Sequence, residues 1–112
     1  MLNILTKEEI NGEELEELIL KRDLKEIDFL LVDVREEYEF NNKKIIGADY
    51  LIPMSVFFDK MNILEQHKTK VIITQCKVGG RSLKAQQILK AQGFEKVINL
   101  AGGILKYKGK TT

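Results

Sequence analysis

Cys76 is the single cysteine in these 112 residues, and it opens the stretch Cys76-Lys77-Val78-Gly79-Gly80-Arg81. The thiolate is the reactive form of cysteine, and nearby N–H groups, basic side chains and helix N-termini all favour it. Gly79 and Gly80 lack a Cβ, so the backbone there can curl and turn its N–H groups inward as an anion-binding concavity. Lys77 and Arg81 bring positive charge to the same loop. These features predict a thiol with a lowered pKa in a site that holds a small anion or an anionic sulfur atom. A plainer reading makes Cys76 a core residue and the glycines a tight turn. Two glycines and an arginine placed directly after one thiol favour the reactive reading.

Such a loop needs a rigid strand before it and a helix after it. Residues 71–74, Val-Ile-Ile-Thr, form a continuous apolar run of the kind a strand buried on both faces requires. Residues 29–34 and 97–100 repeat that pattern. Residues 82–92 read as a helix with Ala85, Ile88 and Leu89 on one face. Gly93 suits its left-handed C′ position and sets Phe94 against Leu89. Residues 10–21 read as an amphipathic helix, with Asn11 as N-cap, Glu14 completing a capping box and Ile10 and Leu15 spaced as a hydrophobic staple. The acidic run Glu13, Glu14, Glu16 and Glu17 is then a solvated helix face. A short helix over 36–41 and a short strand over 48–52, ended by Pro53, complete the alternation. Strands alternating with helices imply parallel pairing and right-handed crossovers, hence an α/β fold with its sheet covered on both faces. Cys76 would lie outside the carboxyl end of a strand, where open α/β sheets bind ligands.

At 44% hydrophobic and 31% charged, 112 residues suffice for one core and one domain spanning 1–112. No basic segment followed by an apolar run opens the chain, and no apolar stretch approaches the roughly 20 residues that cross a bilayer. A cytoplasmic protein without membrane contact is expected, and a lone cysteine fits a reducing compartment. The net charge of +1 hides an asymmetry: residues 1–56 carry 14 acidic and 7 basic side chains, whereas residues 57–112 carry 3 and 11. Phe57 and Phe58, with Val56 and Met61, suggest a short helix facing the core. His67, the one histidine, lacks the partners a metal site needs. Lys106, Lys108 and Lys110 read as a solvated tail, and without an aromatic stacking platform no nucleic-acid partner is expected.

The stretch from Cys76 to Ser82 resembles the rhodanese family, whose single-domain members carry a segment much like Cys-Arg-Ser-Gly-x-Arg-Ser. The resemblance extends along the chain through Asp33-Val34-Arg35-Glu36, Gly47-Ala48, Gly93-Phe94, Asn99-Leu100 and Gly102-Gly103-Ile104. Lys44-Ile45-Ile46-Gly47-Ala48 departs from the family's His-Ile-Pro-Gly-Ala, and Tyr107 stands where tryptophan is common. Val78 and Lys77 replace a polar residue and an arginine frequent in the family, which bears on the choice of donor. The resemblance implies a parallel sheet of about five strands, with Cys76 carrying sulfur as a persulfide and residues 77–81 binding the substrate. It also implies that Asp33 and Arg35 form a structural ion pair.

The implied reaction moves sulfur from a small anionic donor, thiosulfate or a persulfide, to cyanide, a thiol or a sulfur-accepting protein, with no cofactor or metal. Two other classes compete. Cysteine-dependent phosphatases use a similar loop, but theirs is C-x5-R, whereas Cys76 to Arg81 is C-x4-R, a ring better sized for one sulfur than for a phosphoryl group. A carrier or docking module would keep the cysteine and differ only in its partner.

Overall fold

The structure, a computed structural model, describes residues 2–112. Five parallel strands form one sheet: β1 (Glu9–Ile10), β2 (Leu30–Asp33), β3 (Tyr50–Leu51), β4 (Val71–Gln75) and β5 (Lys96–Leu100), in the order β1-β5-β4-β2-β3. Five helices accompany them: α1 (Gly12–Asp23), α2 (Glu37–Asn42), α3 (Phe57–Lys60), α4 (Gly80–Ala91) and α5 (Gly103–Lys106), with short 3-10 turns at the N-terminus and around α3. The central strand β4 pairs with β2 from Leu30↔Ile72 to Asp33↔Gln75 and with β5 from Val71↔Lys96 to Thr74↔Asn99.

Alternation along these strands sends side chains to two cores. Leu31, Ile73 and Ile98 pack with Leu15 and Leu18 of α1 and Ile104 of α5. Val32, Ile72 and Val97 pack with Phe57 of α3 and Ala85 and Leu89 of α4. A strand that faces both cores must be apolar throughout, which is why these segments read as continuous apolar runs. Each fully buried leucine or isoleucine contributes roughly 1.5–3 kcal/mol of burial.

The helix ends follow their local chemistry. The Asn11 side chain accepts from the Glu14 N–H at 2.9 Å, and the Glu14 carboxylate accepts from the Asn11 N–H at 2.9 Å. At the far end of α4, Gly93 adopts φ +93°, its N–H reaches the Lys90 carbonyl, and the Phe94 N–H reaches the Leu89 carbonyl at 3.1 Å. Phe94 and Leu89 then meet in the same core.

Some expectations differ from the structure. Ile10 belongs to β1, and α1 begins at Gly12, because two residues suffice to pair with Asn99 and Leu100 and leave no periodic trace. The strand expected over 48–52 narrows to Tyr50–Leu51. Phe57 is buried, but Phe58 is exposed. The terminal lysine side chains are solvated, yet their backbone is tied down: Ile46 N–H donates to the Lys110 carbonyl, and Lys44 and Thr112 exchange two hydrogen bonds of 2.9 Å. Among the described residues no helix is long and apolar enough to cross a membrane.

Candidate active site

Cys76 directly follows β4, whose neighbours β2 and β5 run parallel to it, so the loop from Cys76 to Gly79 opens at the carboxyl edge of the sheet and leads into α4. Its shape follows from where its carbonyls go. The Cys76 carbonyl accepts from the Gln75 side-chain amide at 2.9 Å and from the Ile104 N–H at 2.9 Å. The Lys77 carbonyl accepts from the Leu105 N–H at 3.0 Å. The Gly79 carbonyl takes the Leu83 N–H at 3.0 Å and the Asn99 amide at 3.3 Å. With these oxygens held outward, N–H groups are left to face the sulfur.

Three hydrogen-bond donors converge there. The Gly79 N–H lies 3.1 Å from Cys76 Sγ, the Ser82 N–H 3.4 Å and the Ser82 Oγ 3.3 Å. Gly79 reaches this position at φ +109°, as the residue preceding α4, a conformation that favours glycine. Gly103 closes the back of the loop. A Cβ there would stand 2.3 Å from the Lys77 carbonyl oxygen and 2.5 Å from that of Cys76, so only hydrogen fits.

The thiol is fully buried. Burial alone pushes its pKa up, but the Ser82 hydroxyl and the N–H groups of Ser82, Gly79 and Val78 outweigh that effect, leaving the thiol below its ordinary range. The lowered pKa expected from the sequence is present, with the expected N–H groups among its sources and the Ser82 hydroxyl added to them. Neither Lys77 nor Arg81 donates to the sulfur among the described contacts. Arg81 instead makes a two-pronged pair with Glu39, Nη1 to Oε1 at 2.7 Å and Nη2 to Oε2 at 3.0 Å, joining α4 to α2. Chiefly through these bonds, Arg81 holds the Glu39 carboxyl down at about 2. Lys77 and Val78 are exposed, and Gly80 lies at the start of α4 with open space where a Cβ would point.

Asp33 and Arg35 form a buried ion pair. Arg35 Nη2 donates to Asp33 Oδ2 and to the Lys43 carbonyl, both at 2.7 Å, and Nε reaches Asp33 Oδ1 at 3.0 Å. Arg35, Tyr38, Glu39, Lys43, Lys77 and Leu105 line a cleft of about 490 Å³ beside the loop. His67 rests against Tyr50, its Nε2 3.3 Å from the tyrosine hydroxyl. Among the described residues no His, Cys, Asp or Glu side chains cluster as metal ligands.

Sequence reasoning gave no role to Ser82, Glu39, Gln75 or Asn99. Ser82 lies within the quoted stretch, one turn into the helix that caps the sulfur, and its hydroxyl was a readable signal. Gln75 and Asn99 were readable too, as amides near the carboxyl ends of largely apolar strands. The partnership of Glu39 with a residue 42 positions away leaves no local signal.

The rhodanese-like domain model matches residues 13–110. An Acinetobacter baylyi protein named tRNA uridine(34) hydroxylase is 40% identical over 90 residues, covering 75% of this chain and 28% of that protein. An Escherichia coli protein of the same name is 32% identical over 103 residues, covering 88% of this chain and 29% of that protein. This chain thus spans less than a third of the length of these curated relatives. Among solved structures, a rhodanese-like domain protein from Staphylococcus aureus superposes with a TM-score of 0.77 at 28% identity, covering 93% of this chain and 94% of the other. A rhodanese-related protein from Thermoplasma volcanium gives 0.78 at 27% identity, covering 95% and 98%.

Proposed function

The chain belongs to the rhodanese-like domain family, and from that premise we propose that it is a cytoplasmic sulfurtransferase in which Cys76 holds the transferred sulfur as a persulfide. The observation that carries this reading is the convergence of the Gly79 N–H, the Ser82 N–H and the Ser82 hydroxyl on Cys76 Sγ at 3.1–3.4 Å. Donors at fixed positions favour the thiolate, and they equally favour a terminal persulfide anion that forms beside it.

The transfer takes two covalent steps. The Cys76 thiolate attacks the sulfane sulfur of the donor, an Sγ–S bond forms, and the donor's S–S bond breaks. Sulfite leaves with the electron pair when the donor is thiosulfate, and a thiolate leaves when it is a persulfide. An acceptor then attacks the outer sulfur and releases the Cys76 thiolate, giving thiocyanate from cyanide or a new persulfide from a thiol. No second cysteine exists in these residues, so the acceptor thiol is brought to the domain from outside. Cys76 is fully buried beneath a loop whose crest, Lys77 and Val78, is exposed.

A phosphatase reaction would need three oxygens held around a reacting phosphorus, and the C-x4-R spacing leaves a loop one residue shorter than that chemistry uses. A carrier module would share the persulfide step and differ only in passing its sulfur to a protein. The name of the longer relatives supports a second reading, in which this domain takes part in modifying tRNA uridine. That reading expects added tRNA to alter Cys76 chemistry, whereas sulfur transfer proceeds without RNA. The experiment is steady-state thiocyanate formation from cyanide with thiosulfate or an alkyl persulfide as donor. Native protein should turn over and Cys76→Ser should not. Equal rates in the two proteins would defeat the proposal.

A further inference from the structure

The feature that the sulfur chemistry leaves unused is the ion pair in front of the loop. Arg81 is the arginine expected to attract an anionic donor, yet both prongs of its guanidinium are bound to one carboxylate, at 2.7 and 3.0 Å. That carboxylate is fixed in turn: Glu39 Oε1 also accepts from the Glu36 N–H at 2.9 Å, in the capping box of α2. Bidentate arginine–carboxylate pairs hold both partners in one geometry. The Glu39 side chain is only 16% exposed, while that of Arg81, at 36%, still meets solvent.

Resting on the sulfur-transfer reading, we infer that Glu39 sets the donor preference of the Cys76 site: it neutralises Arg81 and turns the site away from thiosulfate, a compact dianion, toward alkyl persulfides carrying at most one charge. The charges at the loop and on the cleft wall, counted with Glu36, which acts on Arg81 from outside that wall, support this. The Cys76 thiolate, Glu36 and Glu39 are negative, while Lys77, Arg81 and Lys43 are positive, so the group sums to zero. Arg35 adds nothing, being committed to Asp33. Without the Glu39 charge the group would stand at +1, with the charge of Arg81 no longer neutralised. Arg81 already senses the charge on Cys76, which places it within electrostatic reach of the reacting sulfur.

Screened nearly as in bulk water, a unit charge several ångströms from the donor changes its encounter by about 3-fold per donor charge. The dianion should therefore feel about 10-fold, a monoanion about 3-fold and a neutral donor nothing. Loading balances with either donor: an Sγ–S bond forms, the donor's S–S bond breaks, and sulfite or the alkyl thiolate departs with the electron pair.

The test is single-turnover loading of native protein and Glu39→Gln, followed by intact mass, with thiosulfate and with 2-hydroxyethyl persulfide. Glutamine keeps the amide oxygen for Arg81 and for the Glu36 N–H but removes the charge. Glu39→Gln should load from thiosulfate about 10-fold faster than native, and from the persulfide no more than about 3-fold faster. Added salt should slow thiosulfate loading of the variant and leave the native rate nearly level. Equal acceleration with both donors, or no gain with thiosulfate, would overturn the inference. If the variant does not fold, the native salt dependence decides: a steep fall with salt means an uncompensated positive site and overturns it, and a level rate supports it. Native protein that takes sulfur from neither donor would overturn the sulfur-transfer reading itself, an outcome distinct from loading that ignores Glu39.

Discussion

Replacing Ser82 by alanine should raise the Cys76 pKa by about one unit while leaving the fold intact. Ser82 is fully buried, and its hydroxyl stands 3.3 Å from Sγ and 3.2 Å from the Gly79 carbonyl. One proton serves two acceptors, so the hydroxyl can donate to the carbonyl while the thiol is protonated and turn to the sulfur once the thiolate forms. A hydrogen bond to a charged group contributes about 1.5–3 kcal/mol. Because the carbonyl competes for the proton, the lower end applies, and about 1.4 kcal/mol corresponds to one pKa unit. The Gly79 carbonyl keeps the Leu83 N–H and the Asn99 amide in the variant, so the loss falls on the sulfur. The assay is the rate of iodoacetamide alkylation against pH for native protein and Ser82→Ala, with Cys76→Ser as blank. The native midpoint should lie below that of a free cysteine peptide, and the variant's about one unit higher than the native's. An unchanged or lower midpoint in the variant would refute the argument that the hydroxyl holds the thiolate.

Three further outcomes are expected. Arg35→Ala should cost about 3–5 kcal/mol in urea unfolding, because it strands the buried Asp33 carboxylate and leaves the Lys43 carbonyl without its donor; a loss below about 1 kcal/mol would mean that water replaces the guanidinium. Gly103→Ala should abolish sulfur loading and lower stability measurably, since its Cβ would collide with the Lys77 backbone at 2.3–2.4 Å; native loading kinetics in that variant would contradict the packing described. Glu39 titrates at about 2 in the fold against an ordinary 4.5, so its ion pair stabilises the protein fully above about 4.5 and the benefit disappears as pH falls toward 2. The stability difference between native protein and Glu39→Gln, followed by thermal melts, should therefore shrink over that window, and a difference constant with pH would count against the pair.

Much of the fold could be read from the sequence because its determinants are local or periodic. Asn11 with Glu14, and Gly93 with Phe94 and Leu89, specify helix ends through contacts within a few residues. The segments around Leu31, Ile73 and Ile98 declare strands buried on both faces by being apolar without interruption. What escaped was encoded at a distance. Strand β1 is two residues long and exists only through its pairing with Asn99 and Leu100. The tail's backbone pairs with residues 44–46, a match set by the completed fold. The same division holds at the site. Cys76, the glycines and the strand-to-helix junction lie together in sequence and were recognisable, and so was the direction of the thiol's shift. The inward N–H groups were legible as one cause, whereas the orientation of the buried Ser82 hydroxyl was not. Nothing within the loop reveals that Arg81 pairs with Glu39, 42 positions away.

The central claim is that Cys76 receives a sulfur atom and gives it up again. The most direct measurement is the intact mass of native protein after incubation with 2-hydroxyethyl persulfide, repeated after adding cyanide. The account predicts a gain of one sulfur atom, located by peptide mapping on Cys76, and its complete removal by cyanide with one equivalent of thiocyanate formed. A mass that stays unchanged with persulfide and with thiosulfate, or an added sulfur that cyanide does not discharge, would contradict it.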